Sequence, residues 1–149
     1  MESTAEGEFS ATDWLNGVLE SLRRSGQFQR VPAAATRYYV HIPLGLPGVH
    51  YAIARKGASV KVGIYFETRD AALNEALYQR LLEHKHEIES YVSRKLIWKS
   101  EAGLIRRFAE IEEPATLGAR ALRDRTAQTI LHLDNVCRPI LKEIISGAS

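Results

Sequence analysis

Apolar and polar positions divide the chain into segments of two periods. From Trp14 to Arg24 the apolar residues Leu15, Val18, Leu19 and Leu22 recur at helical spacing, with Asp13 placed to cap the start and Gly26 beyond the end. This predicts a first helix. Gln27 to Thr36, with Pro32 and three alanines, reads as a linker. From Arg37 the period changes to two: Tyr38, Val40 and Ile42 alternate with Arg37, Tyr39 and His41 until Pro43, Gly45, Pro47 and Gly48 break the run. His50 to Arg55 supplies a second strand. Val60 to Phe66 supplies a third, with Val60, Val62, Ile64 and Phe66 on one face and Lys61, Gly63, Tyr65 and Glu67 on the other. An antiparallel meander with one face buried and one face wet has this alternation.

After the meander the helical period returns. Thr68 is placed as an N-cap, and Leu73, Leu77, Leu81, Ile88 and Val92 follow at spacings of four or seven, predicting one long amphipathic helix. Its apolar stripe is interrupted at His84 and Lys85, where the Lys85 stem is expected to lie on apolar surface with its ammonium in water. Lys95 to Trp98 and Leu104 to Ile111 read as a second, shorter strand pair joined through Ala102-Gly103, in which the adjacent Arg106 and Arg107 point to opposite faces. Pro114 to Ile145 reads as helix, about 48 Å long if unbroken. Gly118 and Pro139 are the expected break points; an unbroken helix would overhang the domain and offer a face to a partner chain. The expected fold is therefore α+β. It comprises an N-terminal helix, a three-stranded antiparallel meander, a long amphipathic helix, a second short strand pair and a C-terminal helix with a break. Residues 11–146 form one domain behind a flexible terminus of residues 1–10.

Composition narrows the class. The 149 residues suit a single domain, and with 45% hydrophobic and 26% charged residues and no apolar run of 18 or more, no membrane-spanning helix is expected. Met1 to Ser10 is polar and acidic, unlike a secretory signal, so a cytoplasmic location is expected. The one cysteine, Cys137, falls in a helical apolar stripe and reads as a buried small hydrophobe. A net charge of +2 is too small for a long-range field. Charge is unevenly spread, however: residues 1 to 20 carry five acids and no base, whereas Arg94 to Arg125 carries eight bases and five acids.

Few constellations of residues could carry chemistry. His84 and His86, two apart on a helix, face different directions, while His41 and His50 flank the hairpin turn as a two-ligand seed, so no metal or other cofactor is expected. The only acid-x-Lys match to a nuclease motif, Glu83-His84-Lys85, lies in the helix and not on a strand. The outer meander face gathers Arg37, Tyr39, His41, Lys61 and Tyr65, where aromatics could stack bases and cations meet phosphates. Arg120, Arg123 and Arg125, with Arg106 or Arg107, make a second candidate patch.

The run Tyr39-Val40-His41-Ile42-Pro43-Leu44-Gly45 and the following Gly48-Val49-His50, then Lys85 with Ile88-Glu89, Leu96, Trp98 and Arg107-Phe108, resemble in order and spacing an uncharacterised prokaryotic family, domain of unknown function 4268. The resemblance covers nearly everything from the first helix to Ile145, although Leu46 and Pro47 stand where the family has polar residues. It implies no established activity. Family members often form the C-terminal part of larger proteins whose other portion looks like a nuclease-type domain, which implies a link to DNA metabolism or defence and a nuclease-like partner protein. It also marks His50, Lys85, Glu89, Trp98 and Arg107 as positions of interest.

Three functions are in view. The leading expectation is a non-catalytic accessory or binding module that meets single-stranded nucleic acid or DNA. The second is an interaction or assembly module, a homodimer included, acting through the C-terminal helix. The third is a metal-dependent, nuclease-like enzyme around His41, His50 and Glu67. Exposure of the outer meander face is the observation that separates the first two.

Overall fold

A computed structural model describes residues 4–100, 106–113 and 118–147. The elements are α1 (Thr4–Ser25), β1 (Tyr39–Pro43), β2 (Val49–Lys56), β3 (Ser59–Phe66), α2 (Ala71–Leu82), α3 (Lys85–Val92), β4 (Ile97–Lys99), β5 (Arg107–Glu113) and α4 (Ala119–Gly147). The expected turn through Ala102-Gly103 and the helix start at Pro114 lie outside the described residues. Among the described residues no helix is long and apolar enough to cross a membrane.

The meander forms as its alternation predicts, but it is not a separate sheet. The fourth and fifth strands pair with each other and β5 also pairs with β3, giving one five-stranded antiparallel sheet of order β1-β2-β3-β5-β4. The register puts Val40, Ile42, Tyr51, Ile53, Val60, Val62, Ile64, Phe66, Ala109 and Ile111 on one face, all buried in the core. On the same face Arg107 reaches Glu75 of α2 at 2.8 Å, so of the two adjacent arginines it is Arg107 that turns toward the helices. β1 is an edge strand. Tyr38 and Leu44 bond to β2, so the alternating ladder turns the backbone of Tyr39, His41 and Pro43 to the free edge, where Pro43 has no N–H to offer another strand.

The helices depart from expectation in three places. First, α1 begins at Thr4, so Asp13 lies within the helix and does not cap it; the predicted stripe Leu15, Val18, Leu19 and Leu22 is fully buried, and the helix ends before Gly26, whose φ is +69°.

Second, the single long helix after the meander is two helices. Asp70, and not Thr68, is the N-cap, accepting from the Ala72 and Leu73 N–H groups. The Thr68 hydroxyl instead bonds the buried Asn74 side chain at 2.6 Å. α2 ends at Leu82 and α3 starts after His84, the place where the apolar stripe fails. Lys85 stands exposed on the first turn of α3.

Third, α4 is continuous. Gly118 precedes it, and Pro139 lies inside it without ending it. Pro139 removes the bond to the Asn135 carbonyl, but both residues are on the exposed side, where water can serve that carbonyl. Burial of Cys137, Ile140 and Leu141 around them, at roughly 1.5–3 kcal/mol for a large apolar side chain, offsets the ~3 kcal/mol cost of an interior proline. Buried positions run from Leu122 to Leu141, so the helix lies along the domain and the expected overhang is absent over that span.

Candidate functional site

The outer face of the sheet carries Tyr39, His41, His50, Lys61, Tyr65, Phe108, Glu110, Glu112, Ile97 and Lys99. Among the described residues the apolar core lies on the opposite face, and His41, Lys61, Glu112, Ile97 and Lys99 are exposed here, so this face is open. The aromatic side chains form a ladder across the strands. Tyr38 meets Tyr39 edge to face at 5.1 Å, Tyr39 meets His41 at 5.4 Å, and His41 stacks on His50 at 3.9 Å. His50 continues to Tyr65 at 5.9 Å and Tyr65 to Phe108 at 4.8 Å, where the Arg106 guanidinium closes the end.

This geometry decides what the ladder can do. Centroids 3.9 and 4.8 Å apart with planes 16° and 15° from parallel cannot belong to rings lying side by side, so these rings stand on edge and bury their faces against one another. A base-stacking platform presents ring faces to solvent. Here the faces are used within the sheet, and the ladder is chiefly a cross-strand support. The Arg37 guanidinium donates to the Tyr39 hydroxyl at 3.1 Å, and the Tyr65 hydroxyl donates to Glu110 at 2.7 Å.

The His41–His50 stack leads into a cleft. A cavity of about 880 Å³ opens at the turn end of β1 and β2, lined by Gln27, Gln29, Arg30, His41, His50, Arg138 and the turn 43–49. A second trough of about 590 Å³ adjoins it along β1, sharing Gln29, Arg30, His41 and Pro43 and adding Arg23. Neither lining holds an acidic residue. Arg30 is exposed and makes no ion pair or hydrogen bond among the described residues. Arg138 is held in place: it bonds the buried Asp134 at 3.0 Å and donates to the Leu44 carbonyl at 3.1 Å. Asp134 also accepts from the Tyr51 hydroxyl at 2.7 Å and the Gln27 amide at 2.9 Å, which ties the cleft floor to the sheet and to the end of α1.

His50 is the most perturbed group in the cleft. Burial, and then the neighbouring His41 imidazole, lower its pKa to about 4. The Glu67 carboxylate, 3.1 Å from Nε2 but out of line for a hydrogen bond, pulls the other way; the ring's small exposure makes desolvation the stronger influence, and His50 is neutral at pH 7.

The second candidate patch disperses. Arg120 is exposed at the start of α4, the Arg123 stem lies across Gly17 of α1, and Arg125 joins Arg94 in clasping the buried Glu113 at 3.4 and 2.6 Å. Arg106 stands on the outer side over Phe108. The family positions serve packing. Glu89 accepts from the Leu96 N–H at 2.8 Å and from the Trp98 indole at 3.2 Å, pinning the chain after α3 to the start of β4, while Lys85 remains on the surface. His41, His50 and Glu67 come together, yet face-to-face imidazoles cannot aim their ring nitrogens at one point. Among the described residues no group of three or more His, Cys, Asp or Glu is placed to hold a metal ion.

Arg30, Arg138, Gln27 and Gln29 were not legible as site residues in the sequence. They fall in a linker and on a helix, and only the passage of α4 beneath the hairpin turn brings them to His41 and His50. A family model described as Domain of unknown function (DUF4268) matches residues 13–135. No curated protein and no solved structure matches the chain.

Proposed function

Because the chain belongs to the DUF4268 family, whose activity is unknown, its function has to be read from its own chemistry, and we propose that it is a non-catalytic module binding the phosphate backbone of single-stranded nucleic acid along β1. The observation that carries this reading is the acid-free lining of the two adjoining troughs, in which Arg30 and Arg138 stand beside His41 and His50. A run of two cavities suits a polymeric anion better than a single phosphate. Arg30, unpaired among the described residues, supplies the cation, Arg138, its charge met by Asp134, supplies fixed N–H donors, and the Gln29 amide is a group able to meet base edges. Arg37 and Tyr39, at the other end of the same strand, extend the path. The companion of such a module would be a nuclease-like protein acting on the same strand.

Titrating labelled single-stranded DNA and RNA of about 15 nucleotides tests the reading. Binding is expected to weaken with a log-log salt slope of roughly −0.7 per neutralised phosphate, and Arg30→Glu is expected to weaken it at least tenfold. No binding at low salt, a flat salt response, or an Arg30→Glu variant that binds like the parent would refute it.

A further inference from the structure

Sheets of this kind keep one face wet or cover it, and the outer face here has the composition of a covered one in miniature. Its floor is Ala52, Ala54 and Gly63, its centre is Tyr65 and Phe108, and Ile97 stands 46% exposed beside them. Its charges are of both signs: Lys61 lies on β3, Lys99 on β4, Glu110 and Glu112 on β5, and Arg106 stands over Phe108. Lys61 and Glu112 are register partners, yet no ion pair joins them among the described residues, and Glu112 instead accepts from the Ser59 hydroxyl at 3.2 Å.

We infer that this face is an isologous dimer interface, in which a second copy of the chain packs sheet on sheet against β3 and β5. A two-fold axis parallel to the strands and between β3 and β5 exchanges those two strands. By the register it sets Lys61 of each copy over Glu112 of the other, Tyr65 over Phe108 and Ala52 over Ile97. Glu110 then meets Gly63, where no side chain opposes it. The occupant is a second copy because the same patch supplies both signs of charge in positions that the axis interchanges; a nucleic acid would meet Glu110 and Glu112 among Lys61, Lys99 and Arg106, and would find the faces between His41 and His50 and between Tyr65 and Phe108 occupied. Edge-to-edge pairing through β1 is disfavoured by Pro43. Three strands of ~24 Å and the ~10 Å of β4, spaced ~4.8 Å apart, give a footprint of roughly 390 Å² per copy. The total, roughly 800 Å², is below the usual range for a stable interface, so the dimer is weak and reversible.

Sedimentation velocity from about 5 to 500 μM on the whole chain is the test. The expected result is a concentration-dependent dimer that Lys61→Glu and Glu112→Lys each weaken at least tenfold, and that the double variant Lys61→Glu/Glu112→Lys restores to within about threefold, because reversing both charges recreates the pair across the axis. A monomer at every concentration overturns the inference. So does a dimer unaffected by the single reversals, or a double variant no better than the singles. Thermal melts of each variant confirm that the exposed substitutions leave the fold intact. Arg30→Glu, which lies off this face, is expected to leave dimerisation unchanged, so failure here is distinguishable from failure of nucleic-acid binding.

Discussion

His50 makes the stability of the domain depend on pH in a way that can be isolated. Its side chain is 13% exposed, stacked between His41 and Tyr65, and its pKa is lowered from 6.5 to about 4. In the unfolded chain the imidazole takes up a proton near pH 6.5; in the folded chain it resists until about pH 4. Stability is therefore fully present above pH 6.5 and is lost as the pH falls toward 4, because acid favours the state that binds the proton more readily. A shift of that size is worth up to ~3 kcal/mol at low pH and about 2 kcal/mol at pH 5. Urea unfolding of the parent and His50→Gln at pH 7.5 and pH 5 measures it. Loss of stacking affects the variant at both values and cancels in the difference. The parent should lose about 2 kcal/mol more than the variant between the two conditions. Parallel losses would refute the account of His50 as a ring kept neutral by burial.

Three further outcomes follow from the packing. Gly63→Ala should destabilise by about 1–3 kcal/mol in urea unfolding, since an added Cβ would stand 2.6 Å from the Ala109 carbonyl oxygen and 2.8 Å from the Glu110 Cβ; an unchanged midpoint would contradict the close approach of β3 and β5. Asp134→Ala should cost roughly 3 kcal/mol and Tyr51→Phe about 1.5–3 kcal/mol, the first exceeding the second because it leaves the Tyr51 hydroxyl and the Gln27 amide without their shared acceptor. The reverse order would show that Asp134 is not the hub. Cys137 is fully buried, and that burial, with the charge of Asp134, pushes its thiol well up, so a thiol reagent should label the native protein negligibly over an hour and stoichiometrically in urea; rapid native labelling would place Cys137 elsewhere.

The strands were legible because their signal is local. Alternation along Val60 to Phe66 names both faces of β3 without reference to any other segment, and each inner residue is indeed buried. Helix ends were less so. Thr68 and Asp70 are equally good cap residues, and only the Asn74 side chain, which engages Thr68, assigns the cap to Asp70. Pro139 misleads when its cost is considered without the apolar residues that flank it. The joining of β5 to β3 is a pairing between segments some 45 residues apart that no periodicity encodes. Candidate chemistry was half legible. The diagonal meeting of His41 and His50 follows from a hairpin, but the opposition of Arg138 to that hairpin depends on where α4 crosses, and the true orientation of the ladder rings depends on side-chain packing beyond the reach of alternation.

The bonds that tie α1 and the residues just after it to α4 set an order of assembly. The Trp14 indole donates to the Ala119 carbonyl and Gln27 to Asp134, joining positions 105 and 107 residues apart, whereas β1, β2 and β3 close through short turns. Loop-closure entropy favours the hairpins as the nucleus, with α1 docking after α4 is laid down. On a ribosome, α1 would wait for α4 until the five strands and two helices between them had been made, its apolar stripe of Leu15, Val18, Leu19 and Leu22 bare for that interval. The segment that completes the core is therefore also the one most in need of a chaperone.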